Sequence, residues 1–298
     1  MVPTLINTQV LMSGADYFDD NAAINPFMNK NVPVDRIKAQ TEHDHIQEAL
    51  KRANVEVIKV APPQDCQDGV YTANWALVRG DTAVLSTLPN ARKGEEPYAE
   101  KVLKDLGKKV VKIPSNIHFS GQGDALPCGD FLFAGTGYRT EKPAHDFVAD
   151  TLGYTVISLQ TIPKRSLWGF GKPAINKDSG WPDSFFYDID LALSVLRAPA
   201  NGKKGLIAWC PEAFTPTSRR KLEAFDEVEK IEVSFLEAKK AFACNLVSTG
   251  ETVVMSANAP RLKAELEDRG FQIITPQITE LAKGGGYIRC TTLTLNNM

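Results

Sequence analysis

The sequence predicts an α/β protein in which five hairpin–helix–strand units close into a ring around a central pocket. Three observations lead there. Strand-like and helix-like segments alternate from end to end, with turn residues between them. The order hairpin, helix, strand recurs at a spacing of roughly 50 residues, the scale at which repeats build arrays or propellers. The final strand has no helix after it, and pairing it back onto the opening strand removes two sheet edges at once.

Thr4 to Met12 reads as the opening strand. Pro33 to Ala53 is a helix, because Ile37, Ile46, Ala49, Leu50 and Ala53 recur near helical spacing. Val55 to Val60 is a strand, closed by Pro62-Pro63. Val70 to Val78 then turns through Arg79-Gly80-Asp81 into Thr82 to Ser86, a hairpin followed by a helix from Glu96 to Gly107 and a strand from Lys109 to Ile113. The next unit runs from Asp124 through Gly129-Asp130 to Ala134, helix 143–152 and strand Thr155 to Leu159. A further one comprises Leu191 to Leu196, Lys204 to Trp209, helix 216–227 and strand Lys230 to Val233. Ala243 to Ser248, Thr252 to Met255, helix 260–269 and Phe271 to Ile274 repeat the order. Ile288 to Leu295 is the closing strand. One stretch breaks the pattern. Residues 162–184 are rich in Pro and Gly, carry two Trp and have no period, which marks a functional lid or a surface loop inside a single domain spanning 1–298.

Bulk properties exclude several function classes. Hydrophobic residues at 43% and charged residues at 23% suit a globular protein with a substantial core. A net charge of −2 offers no attraction to nucleic acid or an anionic membrane. No apolar run reaches the roughly 18–20 residues of a membrane span, and Met1 to Leu5 lacks the features of a signal peptide. Cys66, Cys128, Cys210, Cys244 and Cys290 are odd in number and scattered, with no CxxC pair. A reduced, cytoplasmic protein without a disulfide framework, metal or cofactor is expected. His43 and His45 stand two apart, on different faces of a helix, and read as solvated residues rather than a metal pair.

The chemistry concentrates near the C-terminal end. Gly284-Gly285-Gly286 lets the backbone bend and approach a ligand closely, and Cys290 follows at the start of a strand. A thiol there is placed to be a nucleophile; the plain alternative is a small buried hydrophobe. Polar clusters stand at other strand ends: Asp68 to Asn74, Asn90 to Pro97, Phe119 to Asp124, Gly135 to Arg139, and Tyr187-Asp188-Ile189-Asp190. In a closed ring such ends converge on the axis, so they would surround one pocket with Cys290. Any one aspartate among them could equally be a turn or cap residue.

Taken together, these residues resemble the guanidino-group modifying (amidinotransferase) superfamily, and most of all its dimethylarginine dimethylaminohydrolase-like and arginine deiminase-like members. The resemblance runs from Leu11-Met12 and Asp16-Tyr17-Phe18 through Ile24 to Met28 and on to Gly285-Gly286 and Cys290. It implies the α/β-propeller (pentein) fold of five ββαβ units. It also implies attack by a cysteine on the guanidinium carbon of an arginine-like compound, through a covalent thiouronium intermediate that water or an acceptor amine resolves, so that a hydrolase or an amidinotransferase is expected. Cys290 corresponds to the nucleophile. By the same resemblance Asp68 would bind the guanidinium, Arg92 and Arg139 would hold the substrate carboxylate, and Asn74, Asp124, Asp190, Gly285 and Gly286 would complete the binding site. The implied partner is a small cationic guanidino substrate, with room left for a homo-oligomer.

Two positions depart from the family pattern. The motif Phe-Glu-Gly-x-Gly-Asp appears as Phe119-Ser120-Gly121-Gln122-Gly123-Asp124, and Tyr-His-Leu-Asp appears as Tyr187-Asp188-Ile189-Asp190. Both usual partners of the cysteine are therefore changed, which makes Ser120 and Asp188 its candidate catalytic neighbours. A carboxylate beside Cys290 would disfavour the thiolate unless a cationic substrate restores the balance. Three readings follow. Asp188 carries the proton at a raised pKa; His118 moves into the vacated role; or the fold has lost the chemistry and keeps a pocket for a cationic ligand.

Overall fold

The computed structural model describes residues 5–164 and 173–297; Thr4 and the middle of the irregular insert, 165–172, lie outside the described residues. Five three-stranded sheets follow one another along the chain, and in each a short strand runs antiparallel to a middle strand that pairs in parallel with a third. The second sheet comprises β3 (Ala76–Arg79), β4 (Thr82–Leu85) and β5 (Lys109–Lys112), with helix α2 (Glu95–Asp105) crossing between β4 and β5. The third comprises β6 (Ala125–Cys128), β7 (Phe131–Gly135) and β8 (Thr155–Leu159), crossed by α3 (Lys142–Leu152). The fourth, β9 (Leu193–Arg197), β10 (Gly205–Trp209) and β11 (Val228–Glu232), is crossed by α4 (Pro216–Glu223). The fifth, β12 (Val247–Ser248), β13 (Thr252–Val254) and β14 (Gln272–Ile274), is crossed by α6 (Pro260–Asp268).

The first sheet closes the ring. β1 (Gln9–Met12) runs parallel to β2 (Glu56–Lys59) after helix α1 (Arg36–Arg52), and its other edge takes β15 (Leu293–Thr294) from the far end of the chain. The register pairs Val10 with Thr294 and Leu11 with Leu293. The predicted closure of the chain onto its opening strand is thus present.

Local chemistry explains the elements. Asp35 caps α1 by accepting from the Lys38 amide, and Lys51 and Arg52 sit in its last turn, where the helix dipole favours cations. Thr215 caps α4, and proline opens α3, α4 and α6, where a missing N–H costs nothing. The helices bury their apolar faces between neighbouring sheets. Ala99, Val102 and Leu103 of α2 pack with Leu11, Val78, Leu85 and Leu293, bridging the first two units. Ala144, Val148 and Leu152 of α3 pack with Leu77, Val84 and Leu132, bridging the second and third.

Three expectations need correction. The strand predicted from Val70 begins only at Ala76, because Thr72–Asn74 form a single 3₁₀ turn; the Thr72 hydroxyl lies between the Leu11 and Thr291 carbonyls. The strand predicted from Ile288 shortens to Leu293–Thr294, because the hydroxyls of Thr291 and Thr292 donate back to the carbonyls of Ile288 and Arg289 and curl the chain. A short helix, α5 (Phe235–Ala241), stands where none was predicted, capped by Ser234; seven residues are too few to show a period.

The described part of the insert is a narrow tongue. The Lys164 amide donates to the Asp183 carbonyl, the Ala174 amide to the Lys164 carbonyl and the Asp183 amide to the Ala174 carbonyl, and Ile175 bridges to Pro182. The tongue rests on residues 23–30: Asn176 donates to the Ala23 carbonyl, while Asp178 accepts from the Ala23 amide and pairs with Lys30 at 3.2 Å. No helix among the described residues is long and apolar enough to cross a membrane.

Candidate functional site

Each unit presents a polar loop just before its first strand, and the five loops are joined in a hydrogen-bonded circuit. The Ala73 amide donates to the Cys290 carbonyl at 3.1 Å, joining the first and second units. Asn74 Nδ2 donates to the Ser120 hydroxyl and carbonyl, each at 3.0 Å, joining the second and third. Asp124 Oδ1 accepts from the Ile189 amide at 2.8 Å, joining the third and fourth. Asn245 lies against the Asp190 carbonyl at 3.5 Å and accepts from the Cys290 amide at 3.1 Å, completing the round. The predicted convergence on one axis is therefore a set of named contacts.

Cys290 is 3% exposed. Its Sγ lies 3.3 Å from Asp190 Oδ2, and Asn245 Nδ2 donates to it at 3.1 Å. Asn245 also accepts from the Tyr287 amide at 3.1 Å, so one side chain ties both ends of the turn that carries the thiol. The turn comes close to its neighbours. Gly285 has φ +87°, and a Cβ there would lie 2.5 Å from Asn25 Oδ1. Its carbonyl accepts from the Tyr187 hydroxyl at 2.7 Å. A Cβ on Gly286 would stand 2.9 Å from that of Cys290. Further back, Glu42 of α1 accepts from the Thr279 amide and hydroxyl and the Glu280 and Leu281 amides, anchoring the segment that leads into these glycines.

The electrostatics are those of crowded carboxylates. Burial, and after it Asp190, push the Cys290 thiol well above its ordinary range. Burial, then the charge of Asp188, raise Asp190 to about 8. Asp124 is pushed well up by burial and by Asp188. Burial lifts Asp68 to about 6 against the pull of Arg92. One oxygen of Asp188 and one of Asp190 are buried without a hydrogen-bond donor. Two buried acceptors of negative charge, both beside the thiol or its loop, call for a ligand rich in N–H donors.

Asp188 is placed differently from the expectation. Its Oδ2 accepts from Asn74 at 2.8 Å and faces Arg139 at 3.6 Å, while the carboxyl on the thiol belongs to Asp190. Asp188 stands just before the 3₁₀ turn Ile189–Leu191, and Asp190 lies within it. Ser120 touches Asn74 rather than the thiol. Arg92 is likewise corrected: its guanidinium grips Glu95 through two 2.7 Å bonds and donates to Asn74 and to the carbonyls of Asp68 and Tyr71, so it braces the site from behind. Arg139 lies flat on the Tyr187 ring at 3.9 Å. His118 is half-buried with its ring on Trp181 at 4.4 Å, away from the role considered for it. His43, predicted to be solvated, is fully buried with neither ring nitrogen bonded; the inward face of α1 takes it, and burial pulls its pKa to about 4. Among the described residues no group of acidic, Cys and His side chains is arranged to hold a metal. A surface groove of about 930 Å³, lined by Arg197, Lys203 and Gly205, opens at the opposite ends of these strands.

Asn245 is the residue that sequence reading missed. One signal could have found it: it stands just before the first strand of its unit, where Asn74 and Asp190 stand in theirs.

Comparison with known proteins follows the same lines. Residues 15–168 match the family model for eukaryotic N,N dimethylarginine dimethylhydrolase. The N(G),N(G)-dimethylarginine dimethylaminohydrolase of Mycobacterium tuberculosis is 31% identical over 96% of this chain and 85% of its own length. The bifunctional arginine dihydrolase/ornithine cyclodeaminase AgrE of Nostoc sp. PCC 7120 is 34% identical over 95% of this chain, which spans 37% of AgrE. Among solved structures, the N-terminal domain of ArgZ, a cyanobacterial arginine dihydrolase of the ornithine–ammonia cycle bound to substrate, superposes with a TM-score of 0.82 at 30% identity, covering 97% of this chain and 98% of that domain.

Proposed function

Because this chain belongs to the dimethylarginine dimethylaminohydrolase family, we propose that it is a cysteine-dependent hydrolase of an arginine-like guanidino compound, acting as one domain in the cytoplasm, where its five free cysteines stay reduced. The observation that carries this reading is the 3.3 Å contact between Cys290 Sγ and Asp190 Oδ2, with Asn245 donating to the same sulfur.

The chemistry follows from that contact. In the free enzyme both thiol and carboxyl resist ionisation. A guanidinium entering between Asp68, Asp188 and Asp190 supplies the donors that one buried oxygen each of Asp188 and Asp190 lacks, and its positive charge favours both the thiolate and the Asp190 carboxylate, whose proton leaves to solvent. Asp190 takes the thiol proton as Sγ bonds to the guanidinium carbon. That proton then goes to the departing amine, and the C–N bond breaks to leave the thiouronium. Asp190, now a carboxylate, takes a proton from the water whose oxygen bonds to the same carbon; the C–S bond breaks, the hydroxyl proton passes to the sulfur, and Asp190 keeps its proton, as in the free enzyme, as the ureido product leaves. The proton carrier in this reading is Asp190, with Asp188 holding charge beside it.

A second reading is favoured because, among the described residues, the thiol's partners are Asn245 and Asp190 and none is an imidazole. The pocket would then bind a guanidino ligand without turning it over. Incubation with arginine, methylated arginines, agmatine, guanidinoacetate and guanidinobutyrate, scored for ureido product and released amine, separates the two. Product that disappears in Cys290→Ser supports the hydrolase; stabilisation by a ligand with no product would sink it.

A further inference from the structure

Next to the thiol in the chain, Arg289 lines a small cavity, and we propose that this cavity binds a single-atom anion such as chloride, held by Arg289 and Ser194. The proposal does not depend on the reading of the loops as a guanidino site.

The cavity measures about 20 Å³ and lies among the first strands of three units, lined by Leu126 of β6, Leu193 and Ser194 of β9, and Cys244 and Leu246 just before β12, with Arg289. That is room for one water-sized occupant. Its polar wall is made of donors. Arg289 is 5% exposed and carries five N–H donors in a fixed fork. Its Nη1 donates to Thr294 Oγ1 at 3.0 Å, and that hydroxyl passes its own proton on to Asn7 Oδ1 at 2.6 Å. A neutral hydroxyl satisfies one N–H and none of the charge. Ser194 is 4% exposed, and its Oγ is buried with no hydrogen-bond partner among the described residues. Burial first, and then Cys210, hold the Cys244 thiol well above its ordinary range, so it presents S–H rather than a thiolate.

That wall selects its occupant. Burial draws Arg289 down to about 10, so it is still a cation at neutral pH. Asp190 is the carboxyl whose charge acts most on it, and below a pH of about 8 Asp190 holds its proton. A buried cation in this state is stabilised by a counter-ion. A polyatomic anion is too large for the space; one atom fits. Water would satisfy the Ser194 hydroxyl but leave the charge of Arg289 as it was. A halide accepts from both, and the leucines around it ask for no further bond.

An anion there would also be felt at the sulfur. Asp190 and Cys290 both act electrostatically on Arg289, so cancelling its charge disfavours their ionised forms.

Alkylation of Cys290 by iodoacetamide at pH 8.5, with sodium chloride exchanged for sodium acetate at constant ionic strength, reads this directly. Chloride should slow the reaction by about three- to tenfold, one pKa unit being a factor of ten in thiolate. Ser194→Ala should raise the chloride concentration for half the effect by about tenfold, the worth of one hydrogen bond to a charged group. Crystals of the wild-type protein grown in sodium bromide should show an anomalous peak against Arg289 and Ser194, a readout that needs no variant to fold. Equal rates in chloride and acetate would place a water in the cavity and overturn the inference. A chloride effect unchanged by Ser194→Ala, or bromide peaks only at other positions, would put the ion elsewhere and overturn it as well.

Discussion

Replacing Asp190 by asparagine should release the Cys290 thiol. The carboxyl oxygen sits 3.3 Å from Sγ, close enough for the two to share one fate on titration. Two unit charges about 4 Å apart interact by about 4 kcal/mol at an effective dielectric near 20. That corresponds to about three pKa units at 1.36 kcal/mol each. In the wild type the pair holds both protons below a pH of about 8, where Asp190 ionises, and the sulfur must then lose its proton against a neighbouring negative charge. Asp190→Asn keeps the burial and removes the charge, so the pH midpoint of thiol reactivity should fall by about two to three units. The rate of alkylation by iodoacetamide between pH 6 and 11, followed at Cys290 by peptide mass spectrometry, reports that midpoint. Asp188→Asn is the control and should move it less, since Asp188 bonds to Asn74 rather than to sulfur. Equal midpoints in wild type and Asp190→Asn, or a larger displacement in Asp188→Asn, would show that the contact does not govern the thiol.

Three further outcomes are expected. Asn245→Ala leaves the buried Tyr287 and Cys290 amides without an acceptor, and should lower stability in urea unfolding by about 2–6 kcal/mol at 1–3 per orphaned group. His43 is held near a pKa of about 4 in the fold against 6.5 free, so the unfolded chain binds its proton first; stability present above pH 6.5 is lost as pH falls towards 4, by about 3 kcal/mol. His43→Leu should flatten that acid limb in melts taken at pH 7, 5.5 and 4. Finally, Ser120→Glu with Asp188→His should raise turnover of arginine above that of the wild type; an unchanged rate would mean the rest of the pocket has diverged as well.

The ring and its closure were legible because they depend on repeated local patterns: apolar runs, turn residues and a last strand without a partner. Cys290 was legible as the candidate nucleophile because it follows three glycines. Less visible was the division of labour between Asp188 and Asp190. They are two residues apart, one just before a 3₁₀ turn and one within it, and no local pattern decides which faces sulfur. Asn245 was hidden for another reason. Its partners lie 42–55 residues away, so only its place just before the first strand of its unit marks it out. Arg92 could have been read better, since Glu95 three positions on announced a helix-turn ion pair. The two departures from the family pattern also make joint sense in three dimensions. A carboxylate is missing at Ser120 and present at Asp188, and Asn74 Nδ2 donates to both, so negative charge has moved across one amide rather than left the site.

The seam between β1 and β15 is a short ladder, no longer than that between β12 and β13, and it adjoins the thiol. Its ladder is two residue pairs long, joining Val10 to Thr294 across nearly the whole chain, so little is lost when it frays and much chain entropy is regained. Partial opening there needs no unfolding of the other four sheets. Chemical modification of Cys290 would then have two kinetic regimes. One is set by ionisation and is insensitive to dilute denaturant. The other is set by the seam, with a denaturant slope far smaller than that of global unfolding. A thiol buried beside the joint of its own ring is a built-in reporter of whether that ring is shut.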